Sequence, residues 1–94
     1  MEKLLTVTVP TYNVEKYLRQ CLDSFCIEGI SDLLEVLIID DGSTDSSSEI
    51  AEEYWKKYPE QFRLIRKKNG GHGSAINRGI AEAAGKYFKV VDSE

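Results

Sequence analysis

A three-layer α/β fold, a mostly parallel sheet with helices on both faces, is predicted by three observations. Short apolar runs rich in β-branched residues alternate with stretches at helical spacing. The connections between successive runs have the length of crossovers. Leu34 to Ile39 reads Leu, Glu, Val, Leu, Ile, Ile, and so continuous an apolar run fits a strand covered on both faces.

The first element, Leu4 to Val9, is a buried strand stopped by Pro10. Val14, Tyr17, Leu18, Cys21, Leu22 and Phe25 follow the i, i+3, i+4, i+7 series of an amphipathic helix, with Asn13 placed to cap it and Gly29 to close it. Cys21 belongs to that stripe and Cys26 falls off it. After the Leu34 to Ile39 strand, Asp40 to Asp45 makes a turn, and a helix runs from about Ser46 to Tyr58 with Ile50, Tyr54 and Tyr58 on one face. Pro59 ends it. Phe62 to Arg66 is a short strand and Asn69 to Gly73 a glycine-rich loop. Ile76, Gly79, Ile80 and Ala83 mark a third helix that stops at Gly85, and Tyr87 to Val91 is the last strand.

The 94 residues fit one domain, read here as 1–94, and carry 12 Lys and Arg against 16 Asp and Glu, a net charge of -4. Binding nucleic acid by neutralising phosphates needs a basic face, which this balance argues against. Cys21 and Cys26 are too few for a disulfide scaffold and lack a metal-ligand spacing, so they read as reduced thiols. No stretch has the roughly 18 apolar residues of a membrane span, and nothing resembles a signal peptide. The chain therefore reads as cytosolic and soluble, any membrane-peripheral placement being left to the remainder of a longer parent.

Ligands of open parallel sheets bind outside the carboxyl ends of the strands, so the loops after Val9, Ile39, Arg66 and Val91 carry the candidates. Asp40 and Asp41 repel each other where a buried strand emerges and need donors or a cation. Asp41, Ser43, Thr44 and Asp45 can cap the turn and the next helix; capping does not need Asp40, which could read the imide edge of a pyrimidine base while its neighbour faces a ribose. Tyr12 offers a face on which a base can stack, and equally reads as simple packing. Asn69 to Gly73 enters a helix where the backbone can approach an anion, with His72 read first as a locally hydrogen-bonded loop residue. Asp92 and Glu94 present hard oxygens that could bridge a divalent cation to a diphosphate.

Taken together, Val9 to Asn13, Ile39 to Asp45, Asn69 to Gly71 and Asp92 to Glu94 resemble, in this order and spacing, the family 2 glycosyltransferases. The resemblance implies the nucleotide-sugar-binding half of a GT-A fold, which is Rossmann-like, and transfer of a sugar from a nucleoside diphosphate to an acceptor with inversion. It implies that Thr11 and Tyr12 line the base pocket, with Pro10 and Asn13 among the substrate-binding residues of the same loop, that Asp40 binds the base, most readily uracil, and that Asp41 has a structural or ribose role. Asn69, Gly70, Gly71, Ser74 and Asn77 would flank the nucleotide. Asp92, Ser93 and Glu94 match the metal-binding Asp-x-Asp, with Asp92 and Glu94 holding Mn2+ or Mg2+. Two positions depart from the pattern: Glu94 is one methylene longer than Asp, and Ile76 stands where the family commonly has Arg, so phosphate binding is expected to be weaker or to use Lys67 or Lys68. The resemblance covers only the first half of such enzymes, so the chain is expected to be a donor-binding fragment, catalytically silent alone, with a saccharide or lipid-linked acceptor and the base beyond Glu94. A sheet cut after its last strand would expose an edge and favour self-association. The competing readings are a receiver-like signalling module, which would not require the Thr11 to Asn13 loop, and a nucleotide-binding remnant without turnover.

Overall fold

Strands and helices alternate strictly along the chain: β1 (Leu5–Thr11), α1 (Glu15–Asp23), β2 (Leu34–Asp40), α2 (Ser47–Lys57), β3 (Phe62–Arg66), α3 (His72–Glu82) and β4 (Tyr87–Val90). The computed structural model describes residues 3–26 and 33–91. Expectations that fall on Gly29, Asp92, Ser93 and Glu94 lie outside the described residues.

The strands form one sheet of order β3-β2-β1-β4, with every pair parallel. On one face, Leu18 and Leu22 of α1 and Ile50, Ala51 and Tyr54 of α2 close over Val7, Val9, Val36, Ile38, Phe62 and Leu64. Each large apolar side chain buried there contributes roughly 1.5–3 kcal/mol. On the other face, Leu37, Ile39 and Ile65 meet Ala75 of α3. β1 alternates accordingly, Val7 and Val9 toward the large cluster and Thr6 and Thr8 toward α3. The helix lies close, because a Cβ added at Gly79 would stand 2.5 Å from Thr8 Cγ2 and Oγ1. The chain thus runs outward from β1 to β3 and returns by α3 to the opposite side of β1. A crevice at the carboxyl ends follows from that reversal.

Several boundaries differ from the sequence expectation for identifiable reasons. β1 continues through Pro10 to Thr11. Thr8 O accepts from Val91 N and Thr11 O from Asp41 N, so strand alternation turns Pro10 away from β2 and the β1–β2 ladder loses no donor. Asn13 does not cap α1, whose N-cap position is held by Val14, with no side-chain cap hydrogen bond of its own. The donors there are taken across the loop, Val14 N by Ser47 Oγ at 2.9 Å and Glu15 N by Asp45 Oδ2 at 3.2 Å. Helix α3 begins at His72, inside the expected glycine loop. Its packed side is Ala75 and Gly79, while Ile80 is exposed. Cys26 lies beyond the end of α1, yet it packs on the large cluster, as Cys21 does. Edge strand β4 leaves Tyr87 and Phe88 exposed.

Candidate functional site

The loops after β1, β2 and β3 meet at the carboxyl edge of the sheet. In the first, Asn13 takes a left-handed backbone with φ 51°, a conformation asparagine tolerates better than most residues. That turn directs Oδ1 at the second loop, where it accepts from Thr44 N at 2.7 Å and Asp45 N at 3.2 Å. Asn13 N in turn donates to Ser43 Oγ at 3.1 Å. The two loops are thereby one unit.

The paired acids at the end of β2 divide their work. Asp40 is buried and its Oδ1 accepts from Ser43 N at 3.0 Å, closing the turn. The turn therefore does use Asp40, contrary to the expectation that capping leaves it free. Asp41 spans instead to the third loop. Its Oδ1 accepts from Lys67 Nζ at 2.6 Å and Gly70 N at 2.9 Å, and its Oδ2 from Gly71 N at 2.9 Å. Asn69 Nδ2 completes the tie by donating to Asp41 O at 3.0 Å. Gly71 precedes α3 with φ 93°, a backbone that disfavours any side chain. Burial pushes the Asp41 carboxyl up, but the Lys67 hydrogen bond, the Gly70 and Gly71 N–H groups and the Lys67 charge outweigh it and hold the acid below the usual carboxylate range. Asp45 is lowered in the same way: burial opposes, and bonds from the Ser47 hydroxyl and the Ser47 and Glu15 N–H groups prevail.

A cleft of about 420 Å³ opens above these groups, lined by Pro10, Thr11, Tyr12, Asp41, Asn69, Gly71 and Ala75. Its floor is the ends of β1 and β2, one wall is the exposed Tyr12 ring, and the other is the amino end of α3. An aromatic face, an ionised carboxylate and a helix N-terminus around one hollow suit a ligand with a flat ring and an anionic group.

The model of the family described as Glycosyl transferase family 2 matches residues 6–93. The chain belongs to that family. The uncharacterized glycosyltransferase EpsJ of Bacillus subtilis is 42% identical over 94 residues, all of this chain and 27% of that protein. Chondroitin synthase of Escherichia coli is 40% identical over 91 residues, 97% of this chain and 13% of the synthase. Among solved structures, S. aureus TarS in complex with UDP superposes with a TM-score of 0.86 at 32% identity, covering 96% of this chain and 27% of TarS. The mannosyltransferase PcManGT from Pyrobaculum calidifontis, in complex with GDP-Man and Mn2+, gives 0.86 at 26% identity, covering 99% of this chain and 28% of that one. The fold is thus the Rossmann-like part of GT-A, and the chain spans about a quarter of the length of EpsJ, TarS and PcManGT.

Within this family 2 chain the expected site residues fall into groups. Pro10, Thr11, Tyr12, Asp41, Asn69 and Gly71 line the cleft. Gly70 reaches it through its N–H on Asp41, and Asn13 supports it through Thr44 and Asp45. Asp40 closes the adjoining turn, and Asn77 is an exposed residue of α3 away from the lining. The His72 side chain, like Asp92, Ser93 and Glu94, lies outside the described structure. Lys67, expected as a phosphate contact, is committed to Asp41 and to Lys68 O. The strand register places it there: Arg66 pairs with Asp40, which brings the next residue level with Asp41, a pairing the sequence does not show. Ala75, in the lining, and Ser47, which caps α1 across the loop, were not among the expected site residues.

Proposed function

We propose that the cleft holds the nucleotide of a nucleoside-diphosphate sugar, a UDP-sugar in first place, for transfer of the sugar with inversion to a saccharide or lipid-linked acceptor. The observation that carries this reading is the convergence of Tyr12, Asp41 and the amino end of α3 on one hollow. Tyr12 stacks on the base, and Asp41, which lines the cleft while Asp40 does not, takes the acceptor role toward base or ribose. The Gly71 end of α3 faces the diphosphate, where the helix dipole favours negative charge. That TarS is in complex with UDP and PcManGT with GDP-Man supports a nucleotide-sugar ligand for this chain.

Among the described residues no group of three His, Cys, Asp or Glu could hold a metal ion. Asp92 and Glu94, which follow β4 within three residues of Val91, are the donors proposed for Mn2+ or Mg2+, and their hard oxygens suit either cation. When bound, such a cation supplies positive charge against the diphosphate. The role assigned to residues 1–94 is donor binding, with the catalytic base expected elsewhere; sugar transfer by the 94-residue chain alone would contradict that assignment. No helix among the described residues is long and apolar enough to cross a membrane. Self-association through the β4 edge, where Tyr87 and Phe88 are exposed, is a separate expectation that sedimentation at rising concentration checks.

The test is the thermal unfolding midpoint with UDP, GDP and ADP, each with and without Mn2+, since a ligand that binds only the folded state raises it. The reading expects a UDP-selective rise that persists without metal and grows with it. No rise with any nucleotide contradicts it.

A further inference from the structure

Lys67 does not line the cleft, yet its side chain is only 13% exposed and is spent on the one acid that does. Its Nζ donates to Asp41 Oδ1 at 2.6 Å and to Lys68 O at 2.7 Å, so the ammonium is anchored on two sides. The Asp41 carboxylate has about four acceptor positions. Two on Oδ1 are filled by Lys67 and Gly70, and one on Oδ2 by Gly71. One position on Oδ2 is left, on an acid that lines the cleft. Three donors on two oxygens also stop the carboxylate from rotating, and the ammonium favours its ionised form.

We infer that Lys67 is a positioning residue that sets nucleobase specificity: it fixes Asp41 as an acceptor with a single vacant position, which takes one N–H from the bound base and refuses a base that presents a lone pair there. The inference rests on the nucleotide reading of the cleft. Uracil offers an imide N–H at its pairing edge, whereas cytosine offers a lone pair at the same ring position. A carboxylate held ionised cannot donate to that lone pair, so it repels it and leaves both groups unpaired. Without Lys67 the acid is free to turn or to carry a proton, and a protonated carboxyl satisfies cytosine as readily as uracil.

The experiment is calorimetric titration of the 94-residue chain with UDP and with CDP at pH 7, for the wild type and for Lys67→Met, Lys67→Gln and Lys67→Arg. The wild type is expected to prefer UDP by at least about tenfold. Lys67→Met is expected to weaken UDP by about tenfold and to bring the two affinities together, with Lys67→Arg restoring the preference. A loss of packing alone would weaken both nucleotides equally and leave their ratio unchanged, which overturns the inference, as does a Lys67→Met chain that binds like wild type. If Lys67→Met fails to fold, Lys67→Gln, which keeps a donor and loses the charge, is read by the same ratio. A wild type that binds UDP without the Lys67 dependence contradicts the inference only; a wild type that binds neither nucleotide removes the nucleotide reading and the inference with it.

Discussion

Asn13 Oδ1 accepts the backbone N–H of Thr44 at 2.7 Å, joining two loops 31 residues apart in the sequence. The same oxygen accepts from Thr44 Oγ1 at 3.3 Å and from Asp45 N at 3.2 Å, while the backbone of Asn13 is left-handed. Asn13→Ala removes the acceptor and strains the backbone, and is expected to cost about 1–2 kcal/mol. For a domain of this size that lowers the unfolding midpoint by about 4–8 °C per kcal/mol. Asn13→Gly relieves only the strain and Asn13→Asp keeps only the acceptor. Urea unfolding should therefore rank both between Asn13→Ala and the wild type, and a glycine variant as stable as wild type would show that the loop-to-loop bonds contribute nothing.

Gly79 is the contact that lets α3 lie on β1. A helix interior normally gains roughly 0.5–1 kcal/mol when alanine replaces glycine. Here the added methyl would meet Thr8 Cγ2 and Oγ1 at 2.5 Å, inside any normal separation. Overpacking costs typically about 1–3 kcal/mol, so Gly79→Ala is expected to destabilise despite the better propensity. Thr8→Ala removes both clashing atoms and, with them, a buried hydroxyl that has no hydrogen-bond partner among the described residues. A double-mutant cycle measured by chemical denaturation should show the two substitutions partly cancelling. Simple additivity would mean that the helix shifts instead of clashing.

Acid should loosen the loop cluster before the core. The Asp41 and Asp45 carboxyls are both held below their ordinary value in the folded chain. A depressed folded-state pKa gives stability that is complete above the unfolded value of about 3.9 and lost as pH falls through the folded value. Unfolding free energy is therefore expected to hold steady down to about pH 4 and to fall below it. Asp45→Asn should lower stability at neutral pH and flatten the acid limb. An unchanged slope in that variant would remove Asp45 from the account.

Much of this was legible in the sequence because periodicity reports burial. Leu34 to Ile39 is apolar on both faces because β2 is covered on both, by the α1 and α2 cluster and by α3. Phe62 to Arg66 was read at the same limits as β3. What periodicity does not report is the direction of a hydrogen bond across the sheet. Asn13 looked like a local cap and is a tie to Thr44; Asp40 looked free and closes its own turn. The division of labour between Asp40 and Asp41 follows from strand alternation and from Lys67 arriving beside Asp41 through the β2–β3 register, which is tertiary information. Pro10 misled for a related reason: it faces away from β2, so the β1–β2 ladder continues past it to Thr11.

The most direct test of the central claim, that the carboxyl-edge cleft binds the nucleotide, is a UDP titration of the isotopically labelled chain followed by amide NMR. The account expects the amides of Thr11, Tyr12, Asp41, Asn69 and Gly71 to shift together and saturably, while those of Tyr58 and Gln61, at the amino side of β3, stay still. Shifts clustered anywhere else on the molecule, or none at saturating UDP, would contradict it.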